Sequence, residues 1–187
     1  FDTADMPTEF GSPIYRGTKN GVDFDPVWLP TEGARRVFIA RPSALVRRSL
    51  GEGGADRPAL VFVNFRSRRA IGDAKPAIYF GGPDGFSPTR KQELPGIGAA
   101  SALICDVNDD GFPDLVIANS AENAMHLDPG TFIFLGGPKG LASEPGIVLP
   151  TRHAWGLATA DINRDGFLEL IICAFATPDL YIFQGKP

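Results

Sequence analysis

Two short segments of the chain carry oxygen-bearing side chains at alternating positions, and each segment closes on a further acidic residue. In the first segment these residues are Asp106, Asn108, Asp110 and Asp114, and in the second they are Asp161, Asn163, Asp165 and Glu169. Carboxylates crowded into one tight loop repel each other unless a cation lies among them. Ligation by oxygen alone, from a flexible loop, suits Ca²⁺. The pattern therefore predicts two calcium sites.

Each segment also contains a glycine and a phenylalanine at positions where the backbone matters. Gly111 and Gly166 stand at the sixth position of their loops, where glycine permits a sharp turn. Phe112 and Phe167 stand at the seventh position, which in calcium loops supplies a backbone carbonyl ligand. We predict that these two carbonyls complete the ligand sets.

Two other interpretations apply to loops of this kind. An EF-hand needs Glu at position 12 between two helices, whereas that position is Ile117 in one loop and Ile172 in the other. The residues on either side are also typical of strands, so the EF-hand is excluded. A hairpin turn without metal is the open alternative, because Asp-Gly is a favoured hairpin dipeptide.

The acidic segments belong to a larger internal repeat with a period of 55 residues. Without a gap, residues 78–86 match residues 133–141, residues 94–95 match residues 149–150, and residues 106–115 match residues 161–170. Fainter copies lie at residues 14–31, at residues 57–63 and from residue 180 onward. Such a period is typical of an array of supersecondary units that bury their apolar faces against each other.

Short apolar segments separated by turn residues predict four β-strands in each unit. In the clearest unit the strands span residues 102–105, 115–118, 131–135 and 147–149, and the glycine-rich turn at residues 136–140 joins the last two. The composition agrees, since 22 Gly and 17 Pro disfavour helices and 14 Phe favour strands. We predict an all-β fold of about three four-stranded antiparallel blades, an incomplete β-propeller ring.

Because of these loops and this internal repeat, the chain resembles the FG-GAP/VCBS repeats of the integrin α-subunit type of calcium-binding β-propeller. The resemblance extends over residues 14–187 and is specific at residues 78–115 and 133–170. It implies that each acidic loop joins the first and second strands of a blade. The expected organisation is a partial propeller over residues 1–187, with a degenerate repeat at 14–77 and calcium-loop repeats at 78–132 and at 133–187, the last ending in a truncated blade.

Structural calcium sites suit a location outside the cytosol. Extracellular calcium modules bind the ion at about 0.1–1 mM, which matches calcium levels outside cells. Two ions would also change the formal charge of the chain from −4 to 0. We expect a secreted, cell-surface or periplasmic protein.

The number of predicted blades is too small for a closed ring. Closed propellers contain about four to eight blades, and this chain supplies roughly three. We expect other chains or further blades to close the ring, and the sequence favours further blades of a longer polypeptide over self-assembly.

The resemblance also implies a ligand face at the end of the blades opposite the acidic loops. Its candidate binding residues are Arg66, Arg68 and Arg69 in residues 64–75, His126 in residues 119–130, and Arg152, His153 and Trp155 in residues 151–156. A protein or a glycan is the expected ligand. The alternative for each residue is a structural role, because Arg-rich loops are usually solvated and a Trp that leads into a strand usually packs.

Sequence motifs for several other functions are absent. HExxH, GxSxG and GxxxxGK[ST] do not occur, and the acidic balance without a basic helix argues against nucleic acid. The longest apolar run, residues 170–176, is too short to span a membrane. We predict a non-catalytic module for adhesion or protein interaction. The alternatives are a carbohydrate-binding module or scaffold of a polysaccharide-processing enzyme, and a structural subunit of a larger assembly or filament.

The two cysteines carry little further information. Cys105 and Cys173 have no CxxC spacing and lie in apolar strand-like runs. Buried thiols are expected, with a disulfide between them as the alternative.

Overall fold

The chain, seen in a computed structural model, is built from β-strands. The structure describes residues 11–40, 58–65, 74–120, 128–175, 178 and 180–185. In chain order the strands are β1 (Gly11–Ile14), β2 (Gly17–Thr18), β3 (Gly21–Val22), β4 (Val27–Pro30), β5 (Ala34–Ala40), β6 (Ala59–Asn64), β7 (Ala77–Phe80), β8 (Lys91–Glu93), β9 (Ala99–Cys105), β10 (Asp114–Asn119), β11 (Thr131–Phe134), β12 (Ile147–Leu149), β13 (Ala154–Ala160), β14 (Glu169–Ala174) and β15 (Leu180–Phe183). Among these described residues, none forms a helix with the length and apolar character needed to cross a membrane.

The strands pair into antiparallel sheets that follow the chain order. The first sheet is β5-β6-β7-β8, the second sheet is β9-β10-β11-β12, and the third sheet is β13-β14-β15. Strands β1 and β4 form a two-stranded half-sheet, and β2 and β3 form a short ribbon. The second sheet contains all four strands predicted for the clearest unit, with shifts only at their ends. The all-β fold of antiparallel blades is confirmed, and the sheets do not close a ring.

Apolar cores lie between neighbouring sheets. Ile133 and Phe134 are adjacent in β11, yet Ile133 packs in the core between the second and third sheets and Phe134 in the core between the first and second. This follows from the pleat, because successive residues of a strand point to opposite faces. Tyr79 packs with Leu29 in a third core, between the half-sheet and the first sheet. Strand β9 contacts β5 on one side and β13 on the other, so the first strands of the three sheets are neighbours.

The sequence repeat and the sheets are out of phase. The repeat match begins at Ile78 and Ile133, which lie in the third strand of the first and second sheets. One repeat of 55 residues therefore supplies two strands to one sheet and two strands to the next.

The half-sheet shares a hydrogen-bonding detail with the second sheet. The hydroxyl oxygens of Ser12 and Thr31 lie 2.8 Å apart, and those of Thr131 and Thr151 also lie 2.8 Å apart. Ser12 lies in β1 and Thr131 lies in β11, the third strand of the second sheet. Their partners Thr31 and Thr151 each follow directly after a Leu-Pro pair, at residues 29–30 and 149–150. The faint copy at residues 14–31 thus folds as the outer half of a blade.

The cysteines are not bonded to each other. Both are free, with Cys105 partly buried and Cys173 exposed. The expectation of a buried thiol is therefore wrong for Cys173. The Cys173 side chain lies on the side of the third sheet against which no further described sheet packs.

Candidate metal centre

The two acidic loops occupy the same place in two neighbouring sheets. The first loop, residues 106–113, joins β9 to β10, and the second loop, residues 161–168, joins β13 to β14. Their backbones share an unusual conformation. Asp109 and Gly111 have φ values of 55° and 82°, and Arg164 and Gly166, the equivalent residues, have 63° and 93°. Left-handed backbone at two positions only two residues apart is what turns each loop back on itself.

The side chains of the first loop accept hydrogen bonds from its own backbone. Asp106 accepts from the N–H groups of Asp110 and Gly111, at 3.1 and 2.8 Å. Asn108 Oδ1 accepts from the Asp110 N–H at 3.3 Å, and Asp110 Oδ1 accepts from the Phe112 N–H at 2.8 Å. Asp106, Asn108 and Asp110 are thereby held on the inside of one turn.

The second loop repeats these contacts residue for residue. Asp161 accepts from the N–H groups of Asp165 and Gly166, at 3.1 and 3.0 Å. Asn163 Oδ1 accepts from the Asp165 N–H at 2.8 Å, and Asp165 Oδ1 accepts from the Phe167 N–H at 2.9 Å. The same pattern thus forms twice from sequences that differ at several positions.

The acid that closes the first loop lies in the protein interior. Asp114 is fully buried, its Oδ2 accepts from the Val107 N–H at 2.8 Å, and its Oδ1 accepts from the Gly136 N–H at 2.7 Å. Burial raises the pKa of Asp114. The two N–H groups oppose this rise, and the nearby carboxylates of Asp110 and Asp106 add to it. Asp114 therefore ties the loop to the end of β11 while its charge is crowded by like charges.

The acid that closes the second loop makes a different set of contacts. Glu169 is buried, and its Oε2 accepts from the Ile162 N–H at 2.7 Å, as Asp114 does from the equivalent residue. Its Oε1 accepts from the Asn163 side-chain amide at 3.3 Å. The extra methylene of Glu thus turns one oxygen back into the loop, whereas the equivalent oxygen of Asp114 reaches the neighbouring hairpin.

The donor set of each loop fits a hard divalent cation. Every side-chain donor is an oxygen of a carboxylate or an amide, and three of the four in each loop are carboxylates. However, across the described residues no three acidic, histidine or cysteine side chains lie together in a group suited to one metal ion. The structure brings the first three predicted ligands of each loop into one turn and places the fourth at its base. The calcium ligand sets stay a prediction.

Comparison with known protein families gives a match to the same segment of the chain. Residues 106–172, from the first acidic loop into β14, match the family model described as an FG-GAP-like repeat. This segment of the chain carries an FG-GAP-like repeat. Its sequence is 26% identical to integrin alpha-IIb of Mus musculus over 214 aligned positions, which cover this whole chain and 20% of that protein.

Two further integrin relatives cover about half of this chain. Integrin alpha-5 of Xenopus laevis is 28% identical over 109 residues, which cover 53% of this chain and 10% of the relative. Human integrin alpha-IIb is 30% identical over 101 residues, which cover 48% of this chain and 9% of the relative. The chain spans a fifth or less of the length of these relatives.

The end of the sheets opposite the acidic loops holds only some of the residues predicted for a ligand face. Arg66, Arg68, Arg69 and His126 lie outside the described residues. Arg152 is exposed, and His153 is held by its N–H, which donates to Asp128 Oδ2 at 2.8 Å. His153 also has a φ of 49°, so the backbone there is strained.

Trp155 belongs to a group of stacked side chains that sequence reasoning did not identify. Its ring lies 4.9 Å from the ring of Phe175, and the Arg35 guanidinium lies 4.9 Å from its centroid and 3.3 Å from that of Phe65. Cation–π contact of this kind favours packing as the role of Trp155. Phe65 and Phe175 stand two repeat periods apart, at the same position of their sheets, and this spacing is the signal that could have found them.

Proposed function

We propose that the chain is a non-catalytic, calcium-stabilised segment of an extracellular β-propeller that serves adhesion or protein interaction. The observation that supports it best is the pair of acidic loops with the same backbone and the same hydrogen bonds, at the same place in two neighbouring sheets. The likeness to integrin alpha chains supports the same function. In this proposal residues 14–77, 78–132 and 133–187 are three repeats, and the last two each hold one ion.

The proposed ligands are the same in kind at both sites. In the first loop they are the side-chain oxygens of Asp106, Asn108, Asp110 and Asp114 and the backbone carbonyl of Phe112, and in the second loop those of Asp161, Asn163, Asp165 and Glu169 and the carbonyl of Phe167. A bound ion supplies positive charge that offsets the repulsion between these carboxylates. The chain itself orients them through the N–H groups of the loop.

Calcium binding would strengthen a junction of three strands. Asp114 follows the first loop at the start of β10, and its Oδ1 accepts from Gly136 just after β11. A cation that favours the ionised form of Asp114 favours these hydrogen bonds as well. With free calcium ten times above the dissociation constant, each site would stabilise the fold by about 1.4 kcal/mol.

The proposed compartment and ligand follow from the same reasoning. Sites with dissociation constants of about 0.1–1 mM are filled at the calcium levels found outside cells and empty in the cytosol. A protein or glycan ligand would bind at the end of the sheets opposite the loops, where Arg152 is exposed. The absence of nucleophile and metalloprotease motifs from the sequence supports a binding role rather than catalysis.

A matched pair of substitutions tests the calcium assignment. Asp110→Asn removes a charge from a proposed ligand, and Asp109→Asn removes the same charge from the neighbouring residue, which is not a ligand. Asn tolerates the left-handed backbone of Asp109, so this control keeps the loop conformation. Calorimetric titration with Ca²⁺ should give two sites in wild type and in Asp109→Asn.

The variant at the proposed ligand should behave differently. Asp110→Asn should weaken one site by about tenfold or more, and thermal unfolding should show a smaller stabilisation by millimolar Ca²⁺. Wild type that takes up no calcium at millimolar concentration would contradict the proposal. Equal calcium affinity in the two variants would contradict the ligand assignment.

A further inference from the structure

The side-chain amide of Asn163 lies between two carboxylates of the second loop. Its Nδ2 donates to Asp165 Oδ2 at 2.9 Å and to Glu169 Oε1 at 3.3 Å. The amide oxygen accepts from the Asp165 N–H at 2.8 Å, so the hydrogen-bond network fixes which end of the amide meets the acids. N–H groups placed between two carboxylates offset part of their repulsion. The chain thus supplies, from its own Asn163, part of the charge compensation that a cation would supply.

The first loop arranges the equivalent groups differently. The Asn108 amide donates to Asp110 Oδ2 at 2.9 Å. Both oxygens of Asp114 accept from backbone N–H groups instead, Oδ2 from Val107 and Oδ1 from Gly136. In this loop, whose residues are all described, the amide does not bridge Asp110 to the closing acid.

The length of Glu169, rather than a missing partner, accounts for the difference. Gly185 lies at the same position of the third sheet as Gly136 in the second, two residues after the phenylalanine that pairs with the leucine following the closing acid. A Cβ on Gly136 would lie 2.2 Å from the Pro113 carbonyl oxygen, and a Cβ on Gly185 would lie 2.7 Å from that of Leu168. A glycine thus approaches each loop at the same place, yet Glu169 Oε1 turns back into its own loop.

We call the contact between Asn163 Nδ2 and Glu169 Oε1 the latch. We infer that the latch competes with calcium at the second loop, so that the first loop binds the ion more tightly and the second keeps its shape without it. The inference rests on the proposed function and deepens it, since it sets the order in which the two sites fill.

Opening the latch is a cost that the second site alone carries. The Asn163 amide lies between two proposed ligand oxygens, those of Asp165 and Glu169, and has to leave one of them before an ion can contact both. The N–H groups that hold Asp114 come from residues outside the proposed ligand set, so they can stay in place. Because a hydrogen bond to a charged group is stronger than a neutral one, its loss should weaken binding by about tenfold.

Calorimetric titration with Ca²⁺ measures each site when the other has been removed. Asp106→Ala together with Asp110→Ala leaves the second site, and Asp161→Ala together with Asp165→Ala leaves the first. The first site should bind calcium about tenfold more tightly than the second. Equal affinity at the two sites, or tighter binding at the second, overturns the inference.

Exchange of the closing acid tests whether the latch causes this difference. Glu169→Asp shortens the side chain so that its oxygen no longer reaches the amide, and the second site should then bind calcium about tenfold more tightly. Asp114→Glu is the reciprocal change, which allows an equivalent contact with Asn108, and it should weaken the first site. An affinity that is unchanged in Glu169→Asp overturns the inference.

Substitution of the amide provides a matched pair. Asn163→Asp and Asn108→Asp each add one negative charge to a proposed ligand, but only Asn163→Asp removes the donor of the latch. The affinity of the altered site should rise about tenfold more for Asn163→Asp than for Asn108→Asp. Equal changes in the two variants overturn the inference.

Hydrogen exchange in chelator gives a readout that requires no calcium. Exchange of the Gly166 and Phe167 N–H groups, followed by NMR, should become about tenfold faster in Glu169→Asp, because the second loop loses the latch. The Gly111 and Phe112 N–H groups of the first loop are the internal control and should exchange as in wild type. Unchanged exchange at Gly166 and Phe167 overturns the inference.

The outcomes distinguish the latch from the proposed function. If wild type takes up two ions while Glu169→Asp changes neither affinity nor exchange, the proposed function stands and the inference is overturned. If wild type takes up no calcium, the proposed function is overturned, and the competition falls with it even where exchange in chelator shows the latch.

Discussion

Replacing Asp114 by Ala should destabilise the fold even when no metal is bound. The substitution removes the acceptor of two backbone N–H groups, those of Val107 and Gly136, at a position that is fully buried. An unsatisfied buried N–H costs about 1–3 kcal/mol, so the two together cost about 2–6 kcal/mol. The loss of a carboxylate whose burial is unfavourable offsets part of this. We expect a net loss of about 2–4 kcal/mol in the free energy of unfolding.

The measurement is urea unfolding in excess chelator, followed by tryptophan fluorescence. Asp110→Ala is the control, because Asp110 also accepts a backbone N–H but is exposed, and water can replace it. We expect this control to lose less than about 1 kcal/mol. If both variants lose the same amount, or if Asp114→Ala loses less than about 0.5 kcal/mol, the structural role assigned to Asp114 is refuted.

The free energy of unfolding, measured in the same way, should change with pH in a definite direction. The pKa of Asp114 is raised, with burial as the largest cause, so the folded chain holds this proton more tightly than the unfolded chain does. In chelator, wild type should therefore gain stability relative to Asp114→Asn as the pH falls through the raised pKa towards the ordinary value for Asp. A relative loss of stability over that range would contradict the direction of the shift.

Two further predictions concern the glycine turn and the thiols. Gly136→Ala places a Cβ 2.2 Å from a backbone carbonyl oxygen of the first loop, whereas Gly137→Ala meets no atom within 4 Å. Thermal unfolding should show a loss of about 1–3 kcal/mol for Gly136→Ala and little change for Gly137→Ala, and equal effects would contradict the close approach. Burial raises the pKa of Cys105 to about 11, so a thiol reagent near neutral pH should modify the exposed Cys173 first. Peptide mass spectrometry reads the order of labelling, and earlier labelling of Cys105 would contradict the burial.

The sequence allowed the strands of the second sheet and the acidic loops to be predicted because both depend on local chemistry. Alternating apolar residues and turn glycines specify the strands, and a backbone that turns at Gly111 specifies the loop. The side-chain contacts across sheets were not predictable in this way. The stacking of Arg35 on Phe65 and Trp155 joins residues far apart in the chain, and no local pattern indicates it.

The prediction that Cys173 is buried is wrong for a different physical reason. Its neighbours in sequence are as apolar as those of a buried strand, so the local pattern indicated burial. Whether a residue in an array of sheets is buried depends on the next sheet, however, and the third sheet has no described sheet beyond it. A local pattern specifies which side of a sheet is apolar, but it does not specify what covers that side.

The phase difference between the repeat and the sheets has a consequence for how such genes change length. A unit of 55 residues, such as residues 78–132, begins in the third strand of one sheet and ends in the third strand of the next. Duplication or loss of one unit within the array therefore rejoins equivalent positions of that strand, and every remaining ladder keeps its full set of partners. The array can lengthen or shorten by one blade in a single genetic step without leaving an unpaired strand inside the protein.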